Sequence, residues 1–147
     1  MASPKLLLKQ LTPLLAVLFL AACSPEGAEM TAGDAQARST EAAQAFAGAL
    51  VEGHYGEARQ MLVGDAQRMY DVAGLEAAYR EMVPEDLGPA RLDGMVLHQD
   101  DWPDRQPGDL GWVYVSISTP EYGEAVTVVV AQDGEKAGVR SIEWGRP

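Results

Sequence analysis

The stretch Trp112-Val113-Tyr114-Val115-Ser116-Ile117-Ser118 decides the fold class. Its β-branched residues Val113, Val115 and Ile117 recur at every second position, which is the period of a β-strand. In a strand these three side chains point to one face of the sheet, and the two aromatic side chains point to the other. The stretch therefore predicts a strand with one face in the core and aromatic residues on the opposite face.

Further strands are predicted on both sides of this stretch. Residues 126–130, Val-Thr-Val-Val-Val, are β-branched throughout, which is typical of a central strand. Asp133-Gly134 is a hairpin signal, after which residues 139–144 are predicted to return as the last strand. Upstream, residues 91–98 form a mixed apolar run that ends at a polar loop, residues 99–108. These elements predict an antiparallel sheet of about four strands.

Before the sheet, the apolar residues recur with the period of a helix. Residues 37–51 are rich in alanine, with Phe46 and Leu50 four positions apart on one face. A short helix is predicted from about Tyr55, and another within residues 71–84, where a proline ends it. The predicted fold class is therefore α+β, with amino-terminal helices packed on a curved antiparallel sheet.

Two segments resemble a known architecture. Residues 45–62, AFAGALVEGHYGEARQML, and residues 132–144, QDGEKAGVRSIEW, resemble the opening helices and the final hairpin of small nuclear-transport-factor-two-like domains. The resemblance covers residues 37–147 and implies one cone-like domain, in which a curved sheet wraps over helices and leaves a pocket between them. That superfamily contains enzymes, carriers and dimerisation modules, so the fold does not by itself assign a function.

The amino terminus has the order of a secretory signal. Lys5 and Lys9 precede an apolar stretch of about a dozen residues, which is shorter than the roughly 20 residues of a membrane-spanning helix. Leu20-Ala21-Ala22-Cys23, at the end of this stretch, resembles the lipobox of bacterial lipoproteins. The resemblance implies that residues 1–22 are a signal peptide, that Cys23 carries a diacylglyceryl thioether and that the new amino terminus is acylated.

The residues that follow Cys23 complete the predicted organisation. Ser24 stands where lipoproteins retained in the inner membrane often have aspartate, so the resemblance implies an outer-membrane protein that faces the periplasm. Residues 23–36 are small, polar and acidic, and are predicted to be the lipidated cysteine and a flexible spacer. Residues 37–147 are predicted to be the single folded domain.

Composition excludes several function classes. The chain has 11 Lys and Arg against 22 Asp and Glu, and removal of residues 1–22 would change its formal charge from −11 to −13. Such a chain repels phosphates, so we expect no nucleic-acid partner. Cys23 is the only cysteine, and its lipidation would leave no thiol for a disulfide, a zinc site or catalysis. The sequence has no phosphate-binding loop, zinc motif or nucleophile elbow, and we expect no cofactor and no metal.

The two histidines and one acidic loop are the weaker chemical candidates. His98 lies two residues before Asp100, and a carboxylate beside a histidine can orient it as a general base. His54 is predicted to be a capping or surface residue at a helix start. Four aspartates in the loop offer oxygen ligands for calcium, but their spacing lacks the calcium-loop pattern and favours a solvated acidic loop: Asp100, Asp101, Asp104 and Asp109.

Four aromatic residues are the candidate pocket or interface residues. Tyr55 and Tyr79 lie on predicted helices. Their side chains are predicted to pack in the core, and the alternative is that they line a ligand pocket. Trp112 and Tyr114 lie on the strand face opposite the valines, which leaves an apolar face that needs a cover. A partner, a second copy or the loop that follows residue 98 could provide it.

These observations predict a membrane-anchored envelope lipoprotein that acts as a non-enzymatic protein-interaction module. It would be held at the membrane by the lipid on Cys23 and bind an envelope protein or a second copy of itself. The alternative is a binder of a small apolar ligand in the cone pocket. An enzyme with His98 as its general base is the third hypothesis, and no second catalytic residue accompanies it in the sequence.

Overall fold

The structure is a computed structural model that describes residues 29–147. The predicted signal peptide, Cys23 and the first part of the spacer lie outside the described residues. Four α-helices and a short 3₁₀-helix precede four strands: α1 Ala32–Val51, α2 Tyr55–Gln60, α3 Gly64–Met69, α4 Val72–Met82, the 3₁₀-helix Glu85–Leu87, β1 Arg91–Gln99, β2 Asp109–Ser118, β3 Gly123–Asp133 and β4 Lys136–Trp144. None of the helices in this part of the chain has the length and hydropathy of a membrane span.

The four strands form one antiparallel sheet in the order β1-β2-β3-β4. The strands β2 and β3 are central, and Val113 pairs with Val128 while Val115 pairs with Val126. Asp133 and Lys136 close the hairpin between β3 and β4, as the Asp133-Gly134 signal predicts. The predicted α+β fold, with helices first and then a four-stranded antiparallel sheet, is confirmed.

The core lies between the helices and one face of the sheet. Phe46 and Leu50 of α1 are fully buried, as are Val113 and Ile117 of β2. Because residues two apart in a strand share a face, this is the face on which the sequence predicts the valines. The α1 helix crosses this face, and the shorter helices pack beside it and contact one another.

The first helix begins earlier than the sequence indicates. Residues 32–36, predicted to belong to the flexible spacer, form the first turns of α1. The hydroxyl of Thr31 accepts a hydrogen bond from the Asp34 amide at 3.1 Å, and the Asp34 carboxylate accepts one from the Thr31 amide at 3.3 Å. This reciprocal capping box satisfies two amide groups that a helix start leaves unpaired, and it corrects the predicted boundary of the spacer.

Candidate functional site

The sheet face opposite the helices carries Trp112 and Tyr114. Tyr114 pairs with Leu97 of β1 and Thr127 of β3, and Trp112 pairs with Val129 of β3. The valines of β2 face the core, so these side chains, which alternate with them, face away from the helices. We call the face formed by Met95, Leu97, Gln99, Trp112, Tyr114, Thr127 and Val129 the outer face.

The outer face is apolar and open at its edge. Met95 and Leu97, on the edge strand β1, are each 54% exposed. Trp112 and Tyr114 are half-buried, and neither belongs to the hydrophobic core behind the sheet. The loop after residue 99 therefore does not shield β1. The exposed apolar surface lies on β1 beside the half-buried rings of β2, whereas Thr127 and Val129 of β3 are buried.

Within residues 29–147, charged side chains flank the outer face on β1 and β4. Arg91 and Asp93 lie at the start of β1, and Glu143, which pairs with Thr127, lies on β4. Asp93 accepts hydrogen bonds from the Ser116 hydroxyl at 2.6 Å and from the Met95 amide at 2.9 Å. The Ser116 hydrogen bond, followed by that of the amide, lowers the pKa of the Asp93 carboxyl. The carboxylate is thus held in place at the border, and the centre of the face has no charge.

Tyr55 and Tyr79 form a separate pair on the helical side. Their ring centroids lie 6.1 Å apart, and both line an open groove of about 450 Å³ whose rim includes Glu52, Glu76 and Glu85. Tyr79 is 6% exposed, and its buried hydroxyl has no hydrogen-bond partner within residues 29–147. Burial, with a smaller contribution from Tyr55, raises the pKa of Tyr79 to about 12, so the phenol is neutral at physiological pH. The four candidate aromatic residues therefore belong to two different sites.

His98 lies on the core side of the sheet and has little access to solvent. Its side chain is 7% exposed, and its Nδ1 lies 3.4 Å from an Asp100 carboxylate oxygen. Its Nε2 is buried, has no hydrogen-bond partner in the described chain and packs beside Gly111 and the fully buried Ser39. A general base must reach the proton that it abstracts. The Asp100 carboxylate lies beside the ring, but the ring is almost fully enclosed, which leaves a substrate little access to it.

His54 occupies a surface position. It precedes α2 at the N-cap position, and its side chain makes no capping hydrogen bond. Its Nδ1 lies 3.3 Å from a carboxylate oxygen of Glu52 and 3.9 Å from one of Glu57, and all three side chains are more than half exposed. The predicted surface role fits this environment.

Asp109 does not belong to the solvated loop in which the sequence grouped it. It begins β2, its side chain is 1% exposed, and its two carboxylate oxygens accept hydrogen bonds from Arg140 at 2.7 and 2.6 Å. One of those oxygens also accepts a hydrogen bond from the Gln106 amide at 2.7 Å. The hydrogen bond with Asp109 raises the pKa of the Arg140 guanidinium, which stays charged. Within residues 29–147 no cluster of three or more His, Cys, Asp or Glu side chains could hold a metal ion.

Comparisons with known proteins leave the chain without an assigned relative. No protein-family model, no curated protein and no solved structure matches it.

Proposed function

We propose that this protein is a lipid-anchored lipoprotein of the bacterial envelope that acts without catalysis, as a module that associates with a second copy of itself through the outer face. The observation that carries the proposal is the pair of exposed apolar residues, Met95 and Leu97, beside Trp112 and Tyr114 on a face without central charges. Aromatic residues and methionine are enriched at protein interfaces, and charged residues are depleted at interface centres.

Symmetry, and not net charge, favours a second copy as the partner. The proposed mature chain carries a formal charge of −13, so two copies repel each other over most of their surfaces. The outer face allows two copies to meet without placing carboxylates opposite one another. A two-fold contact uses the same patch on both copies, so one apolar patch is sufficient to close a dimer.

We expect Leu97→Glu to weaken this association. The unlipidated mature chain, residues 23–147 with Cys23→Ser, should dimerise, and a glutamate at position 97 should weaken the dimer at least tenfold, about 1.4 kcal/mol. The reason is that two buried carboxylates would then face the apolar patch of the other copy. Analytical ultracentrifugation over a concentration series measures the change.

Met69→Glu is the matched control for this test. Met69 lies on α3, is 72% exposed and is outside the outer face, so its replacement should leave the dimer unchanged. A wild-type chain that stays monomeric up to about 100 μM, a hundredfold above a Kd of about 1 μM, contradicts self-association of micromolar affinity. Equal weakening by both substitutions contradicts the role of the outer face. If the chain is monomeric but captures another envelope protein, and Leu97→Glu abolishes that capture, the partner is that protein and not a second copy.

The lipid anchor has a separate test. Cys23→Ser should move the protein from the membrane fraction to the periplasmic fraction, because several acyl chains, each contributing about 0.8 kcal/mol per buried CH₂, are needed for stable anchoring. Cell fractionation and the intact mass of the mature protein measure the result. The control variant Ser24→Asp keeps the Cys23 thiol, so this protein should remain in the membrane fraction. Retention of the Cys23→Ser protein in the membrane fraction contradicts lipidation at this residue.

The two other hypotheses have less support. A small apolar ligand in the interior between α1 and the central strands would have to displace fully buried side chains, because Phe46, Leu50 and Val113 fill that space. Catalysis by His98 would require movement of the segment that buries its ring against Gly111 and Ser39. We therefore place both behind association through the outer face.

A further inference from the structure

A second apolar surface lies between α1 and the edge strand β4, on the side of the sheet away from the outer face. It is an open groove of about 350 Å³, with a floor formed by Ala42 and Ala45 of α1, Met61 and the β4 residues 137–139. Its volume is within the range of about 300–1,000 Å³ that small-ligand sites occupy. The groove shares no residue with the outer face, so it is independent of the association proposed above.

Two cations stand at the rim of this groove, Arg38 of α1 and Lys136 at the start of β4. Only nine arginine and lysine residues occur within residues 29–147, against a large excess of carboxylates. Several of the other cations pair with carboxylates, as Arg140 does with Asp109. Neither Arg38 nor Lys136 forms an ion pair with a carboxylate of the described chain.

Arg38 is held in place at the rim by neutral groups. Its guanidinium donates a hydrogen bond to the Gln132 side-chain oxygen at 3.0 Å and another to the Glu135 carbonyl at 2.7 Å. These contacts fix its position between α1 and the β3–β4 hairpin. Asp34, one turn earlier on α1, feels the Arg38 charge but forms no ion pair with it. Glu41 is the one carboxylate among the residues that line the groove, and it pairs with neither cation in the described structure.

We propose that this groove binds a free fatty acid. The carboxylate would accept charge-assisted hydrogen bonds from Arg38 and Lys136, and the alkyl chain would lie on the alanine, methionine and valine floor. Both parts of the ligand are needed. The side chains of the floor are apolar and suit an alkyl chain, whereas a carboxylate alone would leave that floor uncovered. One acyl chain suits the groove because its volume lies near the lower limit for such sites.

Isothermal titration of the unlipidated mature chain with dodecanoate tests the proposal. The comparison ligands are dodecyltrimethylammonium, which has the same chain and the opposite charge, and acetate, which has the head group alone, all below micelle-forming concentrations. We expect one saturable site for dodecanoate, at least tenfold tighter than that for dodecyltrimethylammonium, and no measurable binding of acetate. Equal affinity for the two dodecyl ligands would overturn the proposal, because nonspecific apolar contact would then explain the binding.

Two pairs of variants locate the site. Ala45→Trp should fill the groove and weaken dodecanoate binding at least tenfold, whereas Gln44→Trp, at the adjacent exposed position of α1 outside the groove, should not change it. Lys136→Glu should weaken binding at least fivefold. Arg105→Glu makes the same change in net charge in the loop between β1 and β2, outside the groove, and should have no such effect.

These variants also separate a local effect from misfolding. Lys136 is exposed, so Lys136→Glu remains informative if the circular dichroism spectrum of Ala45→Trp shows a loss of structure. Dodecanoate binding that is unchanged in both Ala45→Trp and Lys136→Glu would overturn the proposal. Equal losses of dodecanoate affinity in Lys136→Glu and Arg105→Glu would also overturn the proposal. The net charge of the protein, and not a contact at the rim of the groove, would then control binding.

Discussion

Replacement of Asp109 by asparagine should lower the free energy of unfolding by about 3–5 kcal/mol, the usual cost of removing one partner from a buried ion pair. The Asp109 side chain is 1% exposed, and that of Arg140 is 17% exposed. Asparagine keeps the size of the side chain and one acceptor oxygen. It removes the negative charge and replaces the other oxygen with an NH₂ group, which cannot accept a hydrogen bond from Arg140. The Arg140 charge would then be left without its compensating carboxylate.

Urea unfolding of the wild-type and variant chains measures this change. If the free energy of unfolding has the same dependence on urea concentration in both chains, the substitution affects stability alone. Glu76→Gln is the matched control, because it removes one carboxylate from the more exposed pair with Arg80 on α4. A pair of that kind, four residues apart on a helix, contributes about 0.3–0.5 kcal/mol. A cost for Asp109→Asn as small as that of Glu76→Gln would contradict the burial of the Asp109–Arg140 pair.

The strands could be predicted because their signals are local. Alternation in residues 112–118, β-branching in residues 126–130 and the Asp133-Gly134 turn each lie within a few residues, and each corresponds to part of the observed sheet. The predicted start of α1, residue 37, is five residues later than the observed start at Ala32, and the reason is also local. The capping box from Thr31 to Asp34 stands in a segment of small and acidic residues, whose composition resembles that of a flexible spacer.

The outer face could be predicted only in part. Alternation in β2 is enough to place Trp112 and Tyr114 opposite the core, but it does not reveal which residues complete their surface. Met95, Val96 and Leu97 are all apolar, so the sequence does not show which side of β1 is buried. The exposure of Met95 and Leu97 depends on β1 being an edge strand, which is a property of the strand order and not of any local pattern.

The Asp109–Arg140 pair and the separation of the aromatic residues depend on contacts that are distant in sequence. Asp109 and Arg140 are 31 residues apart, on strands that are separated by β3. Four aspartates close together in the sequence resemble one cluster, and only the fold shows that Asp109 turns inward while Asp100 stays exposed. In the same way, Tyr55 and Trp112 share a residue class but lie in a helical groove and on the outer face of the sheet, respectively.

Gly111→Ala should lower the free energy of unfolding by about 1–3 kcal/mol, the usual cost of overpacking a core. Gly111 is buried in β2 and its φ angle is not positive, so alanine causes no backbone strain there. The added methyl group would instead overlap His98 Nε2 and lie 2.7 Å from Ser39 Oγ. Both neighbours are almost fully buried, so neither can move into solvent without disturbing the contact between α1 and the sheet.

A double-mutant cycle identifies His98 as the main obstacle. In a His98→Ala background the imidazole is absent, so Gly111→Ala should cost at least 0.5 kcal/mol less there than in the wild-type chain, as expected for residues in contact. Gly56→Ala is the control for the effect of replacing glycine by alanine. Gly56 lies in α2, and the added methyl group would have no atom within 4 Å. Alanine at this position should stabilise the protein by about 0.4–1 kcal/mol. Strictly additive costs for Gly111→Ala and His98→Ala, measured by urea unfolding, would contradict the close approach of the His98 ring to β2. A sub-additive result would place the His98 ring in contact with position 111, as expected for a residue packed against β2.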